Sequence, residues 1–426
     1  MRLVCRPSRL RGSVEIPGSK SHTIRAVAIA SLADGESQIR EPLASADTLA
    51  AVDVYRALGA RIDLKDDVWT VNGIAGQPTA PENVLDVRNS GTTLRIAVGS
   101  AALLTEGLAV FTGDEQIRRR PIGPLATSLN DLGASITSTR GNGRAPLVVG
   151  GRLRGGRTSI EAVTSQYLTS LLINTPLALD ETIIEVPLLN ERPYVQITLD
   201  WLARGGITLE RRELEWFRVP GGQRYRPFDV RVPADFSSAT FFLAAGVLGD
   251  NDVLLRGLDH QDAQGDKAVM DYLRRMGARI DFEPEGIRVR PGKLVGCELD
   301  LNATPDALPM MAVVGCFAEG RTALVNVPQA RLKETDRIAV MCAELSKMGA
   351  RISERPDGLV IERSDLKAAD VNGHFDHRVV MALAVAGTAV NGETRISTAE
   401  AVDVTFPTFM QCMTGLGADM RVEEDK

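Results

Sequence analysis

The 426-residue chain carries a net charge of -6 and 4% aromatic residues, a balance that argues against a nucleic-acid surface, which needs a basic face with stacking rings. That length suffices for two or more domains with ample core. The longest apolar runs reach about a dozen residues, too short to span a bilayer, so neither a nucleic acid nor a membrane is expected as a partner.

The first polar cluster, Ser19-Lys20-Ser21-His22-Thr23-Ile24-Arg25, opens an apolar, Ala-rich stretch that reads as a buried helix. An amphipathic helical stretch follows from Asp47 to Leu58 and ends in Leu58-Gly59-Ala60-Arg61-Ile62. There the glycine reads as a C-cap leading into a strand. Both features recur. The phrase returns at Leu132-Gly133-Ala134, more loosely at Gly205-Gly206-Ile207, then at Met276-Gly277-Ala278, Met348-Gly349-Ala350 and Leu416-Gly417-Ala418, with successive glycines 74, 73, 71, 72 and 68 residues apart. The polar openings return in step as Asn89-Ser90-Gly91-Thr92-Thr93-Leu94-Arg95, Thr164-Ser165-Gln166, Asp235-Phe236-Ser237-Ser238, Thr304-Pro305-Asp306 and Asp376-His377-Arg378. Six units at a fixed period are an internal repeat. Three plus three places the domain boundary near Arg231 to Asp235. A single Ser, Thr or Asp in such an opening is ordinarily a helix cap. Six openings in register, carrying Lys20, Arg25, Arg95, His377 and Arg378, would direct positive helix ends at a shared anion site if the symmetry aligns them.

Several charged segments have a simpler reading beside the functional one. Pro17-Gly18-Ser19-Lys20-Ser21 resembles a P-loop fragment but does not satisfy GxxxxGK[ST]. Arg118-Arg119-Arg120-Pro121 places three cations before the proline taken to start the second long helix, and such triplets are commonly solvated. Arg331-Leu332-Lys333-Glu334-Thr335-Asp336-Arg337 could be i,i+4 ion pairing on an exposed helix face, but Lys333 and Arg337 are like-charged and call for a bound anion. The His374-x-x-His377 spacing lacks carboxylate or cysteine partners nearby, so no metal is expected.

The segments Pro17 to Arg25, Asn89-Ser90-Gly91-Thr92, Arg120-Pro121, Ser165-Gln166, Arg192-Pro193-Tyr194, Ser237-Ser238-Ala239, Pro305-Asp306, Lys333 to Arg337, Asp376-His377-Arg378 and Phe406-Pro407 together resemble, in order, the motif set of the 3-phosphoshikimate 1-carboxyvinyltransferase (enolpyruvylshikimate phosphate synthase) family. The related UDP-N-acetylglucosamine enolpyruvyl transferases use a cysteine near the Arg118 to Arg120 position. None of the five cysteines (5, 297, 316, 342, 412) lies there; they also lack CxxC spacing, as expected of a reducing, cytoplasmic setting. The polar N-terminus does not read as a signal peptide.

The resemblance implies an α/β fold: a two-domain inside-out α/β barrel of six βαβαββ repeats, three per domain. Its buried helices would point their N-termini toward an interdomain cleft. The domains would be 1–17 with 233–426, and 18–232. It implies a monomer that transfers the enolpyruvyl group of phosphoenolpyruvate to the 5-hydroxyl of shikimate 3-phosphate, with no cofactor. Carried over by position, Ser21, Arg25, Thr164, Ser165 and Gln166 match contacts to the shikimate phosphate, with Tyr194 bordering them. Asn89, Gly91, Thr92, Arg120, Arg337, His377 and Arg378 match the phosphoenolpyruvate frame, and Gln329 and Lys333 join the substrate-binding set. Asp306 is the expected base at the hydroxyl, and Glu334 the proton carrier at the methylene, with Lys20 assisting.

Three positions depart from the family pattern. Val404 stands where a lysine is usual two residues before Phe406-Pro407, Glu191 replaces the serine before the basic-Pro-Tyr motif, and Gln329 replaces an asparagine. Glu191 would put an anion where the substrate phosphate belongs. Two alternatives therefore stay open: a divergent relative acting on another anionic cyclitol by enolpyruvyl transfer or phosphate elimination, and a non-catalytic anion-binding homologue.

Overall fold

Each of the six Gly-Ala phrases ends a helix in the computed structural model, which describes residues 1–424. The glycine sits one residue beyond the cap, and its φ is positive at all six sites: 109° at Gly59, 101° at Gly133, 79° at Gly206, 102° at Gly277, 91° at Gly349 and 97° at Gly417. Residues with a Cβ rarely adopt such a φ, so the position after the cap selects glycine. Paired reverse bonds complete the stop, as in Ala60 N–H to Tyr55 O (3.0 Å) and Gly59 N–H to Arg56 O (3.0 Å). A strand follows directly, except after Gly206, where Thr208 is held by Gln223 (2.9 Å) and the strand Glu210–Arg212 begins later.

The chain divides into two compact units, Met1–Pro17 with Pro233–Lys426 and Gly18–Val232. Each contains three four-stranded sheets of one pattern: a parallel pair, then two antiparallel neighbours. In the unit 18–232, Asp229–Arg231 runs parallel to Glu36–Arg40, which pairs antiparallel with Val68–Asn72 and through it with Arg61–Lys65. Ala109–Thr112 and Thr182–Leu189 occupy the equivalent place in its other sheets. In the second unit, Arg11–Glu15 runs parallel to Asp252–Arg256. Arg2–Arg6 lies between Thr394–Ser397 and Asp419–Glu423, so the N-terminal strand completes the sheet of the last repeat.

The Ala-rich helices are the buried layer. Phe236–Val247 and His377–Thr388 are buried at every residue, and with Leu308–Phe317 they form one apolar core with the inner faces of their sheets. In the other unit, Gly91–Ala101 is buried except at Thr92, Ser165–Asn174 except at Gln166, and Lys20–Leu32 except at Lys20 and Ser21. The only accessible side chains of these three helices thus lie in their first turns. No helix among the described residues is long and apolar enough to cross a membrane.

Candidate active site

In the unit 18–232, the first turns of three buried helices hold the polar groups. Lys20 Nζ lies 3.1 Å from Asp47 Oδ2, and Asp47 is itself buried in the first turn of Ala46–Ala57. The Asp47 carbonyl accepts from Thr93 Oγ1 (3.5 Å), and the neighbouring Thr92 hydroxyl accepts from Gln166 Nε2 (3.1 Å). Asn89 donates through Nδ2 to Asp114 (2.5 Å) and Gln116 (2.6 Å). Two guanidinium groups lie over Gly91: a Cβ there would come within 2.5 Å of Arg95 Nη1 and 2.6 Å of Arg120 Nη1, so both arginines would have to shift. Lys20, Asn89, Gly91, Thr92, Arg120 and Gln166 are thereby brought together. The structure corrects the expected helix start near Arg120. Arg118 and Arg119 belong to the short helix Glu115–Arg119, Arg120 follows it in extended conformation and is buried, and the next helix begins at Gly123 rather than Pro121. Pro124 is the proline in its first turn.

Arg25 is fully buried and donates to Thr198 Oγ1 (2.9 Å), Ser21 O (2.9 Å), Thr169 Oγ1 (3.3 Å) and Tyr194 O (3.1 Å). Burial lowers its pKa to about 10, against the opposing influence of Tyr194 and Glu191. Thr164 precedes Ser165–Asn174 but does not cap it through its side chain. That task falls to Glu191, 2% exposed, whose Oε2 accepts from Ser165 N–H (3.0 Å), Ser165 Oγ (2.8 Å) and Thr164 Oγ1 (3.1 Å).

In the unit of 1–17 and 233–426, a network of buried charge centres on Arg337. Its guanidinium meets Asp306 Oδ1 at 2.7 Å, Glu334 Oε2 at 2.5 Å and Asp376 Oδ2 at 2.8 Å. Arg378 Nη2 lies 3.2 Å from Asp306 Oδ2, and Lys333 Nζ lies 3.8 Å from Asp306 Oδ1. This corrects the exposed-face reading and also the demand for a bound anion: Arg337 is 1% exposed, and Asp306 compensates both it and Lys333. Asp336 turns away to pair with Arg331 (2.7 Å) and cap the helix Arg337–Lys347 at Ala339 N–H (3.0 Å). Burial disfavours the Asp306 charge, but Arg378, Lys333 and Arg337 outweigh it and hold its pKa well below the usual carboxylate range. Burial likewise opposes the charge on Arg337, yet Asp376, Glu334 and Asp306 raise its pKa, so it stays a cation.

Gln329 is buried, with Nε2 on Asn302 O (3.0 Å), and His377 is buried in the first turn of its helix. His374 pairs instead with Glu344 (2.9 Å), and no group of His, Cys, Asp or Glu among the described residues could hold a metal. Val404 ends the 3-10 segment Ala399–Val404 and is half-buried. Asp47 and Asp376 are carboxylates of these networks to which sequence reasoning assigned no role of their own. Asp376 could have been found, since it precedes His377-Arg378 in the helix-opening position; Asp47 carries no local signal beyond a helix first turn.

A family model described as EPSP synthase (3-phosphoshikimate 1-carboxyvinyltransferase) matches residues 4–413. A 3-phosphoshikimate 1-carboxyvinyltransferase of Acetivibrio thermocellus is 56% identical over 420 residues, covering 99% of each chain. One of Ruminiclostridium cellulolyticum is 52% identical over 422 residues, covering 99% of this chain and all of the relative. The solved EPSP synthase from Acinetobacter baumannii superposes with a TM-score of 0.84 at 25% identity, over 99% of this chain and 100% of that one. The enolpyruvyl transferase NikO from Streptomyces tendae shares the fold, with a TM-score of 0.78 at 20% identity over 100% of this chain and 99% of its own. With its whole length matched in this way, the chain belongs to the EPSP synthase (3-phosphoshikimate 1-carboxyvinyltransferase) family.

Proposed function

We infer that this chain transfers the enolpyruvyl group of phosphoenolpyruvate to the 5-hydroxyl of shikimate 3-phosphate and releases phosphate. The observation that carries the chemistry is Asp306, a carboxylate kept ionised by three cations in a largely buried setting. In this reading each unit is three βαβαββ repeats wound as an inside-out barrel, with the buried helices presenting their first turns to ligand. Ser21, Arg25, Thr164, Ser165, Gln166 and Tyr194 take the acceptor. Lys20, Asn89, Gly91, Thr92, Arg120, Arg337, His377 and Arg378 take phosphoenolpyruvate; Gln329 and Lys333 frame the acceptor's ring.

Asp306 accepts the proton of the acceptor hydroxyl as its oxygen bonds to C2 of phosphoenolpyruvate, while Glu334, assisted by Lys20, delivers a proton to C3. The addition product then returns a proton from C3 to Glu334 as the C2–O bond to phosphate breaks, and the departing phosphate takes the hydroxyl proton held on Asp306, so both carboxyl groups are restored. A carboxylate whose pKa is held so low is a weak base in the free enzyme. Substrate anions that draw Arg378 and Lys333 away from Asp306 raise its basicity at the moment it is needed. The test is a phosphate-release assay with both substrates, omitting each in turn. Release that requires both supports the transfer, release from one substrate alone supports elimination, and no release with any combination would sink the reading.

A further inference from the structure

Three donors converge on one carboxylate oxygen at the start of Ser165–Asn174: the Ser165 N–H at 3.0 Å, the Ser165 hydroxyl at 2.8 Å and the Thr164 hydroxyl at 3.1 Å. Two hydroxyls and the first N–H of a buried helix make an oxyanion site, reinforced by the helix dipole. The occupant is Glu191, which belongs to the chain itself and is 2% exposed. Its backbone is left-handed, with φ 58°, at the turn between Thr182–Leu189 and Arg192–Arg204. A residue with a Cβ rarely adopts that conformation, and the contacts of the Glu191 carboxylate hold it there. Arg25 lies close enough for the Glu191 charge to stabilise it, while the bonds Arg25 donates all end on neutral oxygens.

We propose that Glu191 is a specificity-determining residue, an internal carboxylate seated in the oxyanion site of Thr164 and Ser165, which the acceptor's phosphate must displace in order to bind. The proposal rests on the assignment of Thr164 and Ser165 to the acceptor phosphate. A phosphate entering this site meets a negative charge and donors already engaged, so its binding is weakened by the energy of expelling Glu191. The unphosphorylated cyclitol brings no competing anion, so the preference for the phosphorylated acceptor is narrower than the donors alone would give.

The experiment compares the full-length wild type with Glu191→Gln and Glu191→Ser. Glutamine keeps an oxygen to cap Ser165 but removes the charge, and melting temperatures report whether either variant is disturbed. The expected result is a Michaelis constant for shikimate 3-phosphate about tenfold or more lower in both variants, with that for phosphoenolpyruvate changed by less than about twofold. An unchanged or higher constant for shikimate 3-phosphate in the correctly folded Glu191→Gln protein overturns the proposal. If wild type and variants all fail to turn over the substrate pair, the functional reading has failed, and calorimetric titration with inorganic phosphate decides the role of Glu191 separately. Tighter phosphate binding by Glu191→Gln than by wild type supports displacement, and equal or weaker binding overturns it.

Discussion

Replacing Asp376 by asparagine removes one charge from the Arg337 network and leaves the shape of the side chain almost unchanged. Asp376 is fully buried and accepts four bonds: from Arg337 Nε (2.8 Å) and Thr335 Oγ1 (3.1 Å) on Oδ2, and from Arg337 Nη2 (3.2 Å) and Arg378 N–H (2.9 Å) on Oδ1. An asparagine that keeps its oxygen toward the Arg378 N–H must turn its NH2 toward the Arg337 Nε–H, donor against donor. The flipped amide repairs that contact and opposes the helix N–H instead. Breaking a buried ion pair costs about 3–5 kcal/mol. The low end, about 3 kcal/mol, applies because Arg337 retains Asp306 and Glu334. For a unit of roughly 200 residues each kcal/mol moves the melting temperature by about 2–4 °C, so its transition should fall by roughly 6–12 °C. Scanning calorimetry of the full chain reads this directly. The Michaelis constant for phosphoenolpyruvate should rise with it, because Arg337 loses its orienting partner. A fall smaller than about 2 °C would show that Asp376 does not hold Arg337 in place.

Asp306→Asn and Glu334→Gln should each lower turnover by about 10²–10⁴-fold with the fold intact, and near-wild-type turnover in either would remove that residue from the mechanism. Because the folded-state pKa of Asp306 is depressed, its contribution to stability is complete above the ordinary aspartate value of about 4 and drains away as pH falls below it. The wild-type melting temperature should therefore drop more steeply below about pH 4 than that of Asp306→Asn, and parallel curves would contradict the depressed pKa. Val404→Lys should lower the Michaelis constant for phosphoenolpyruvate by about tenfold or more by restoring a short-range cation. The half-buried position lets a lysine stem reach water, so the melting temperature should hold; an unchanged constant would place residue 404 away from the substrate.

Local physics made much of the fold readable from the chain alone. The Gly-Ala phrases are legible because a helix stop that needs positive φ selects glycine wherever it occurs, and a period near 72 residues repeats that selection six times. The Ala-rich helices are legible because burial on all sides leaves their bodies mostly apolar, and only first-turn residues, Lys20, Ser21, Thr92 and Gln166, remain accessible. What the sequence could not decide is which charge meets which. Lys333 and Arg337 are one helical turn apart in sequence and repel as a local pair, yet Asp306, about 30 residues away, lies against both. Glu191 reads along the chain as a lone anion before a proline turn, and only tertiary packing sets its carboxylate on the Ser165 helix. Periodicity and capping act over a few residues and are written into composition, whereas the electrostatics of a buried site depend as 1/r on groups that folding gathers from distant segments.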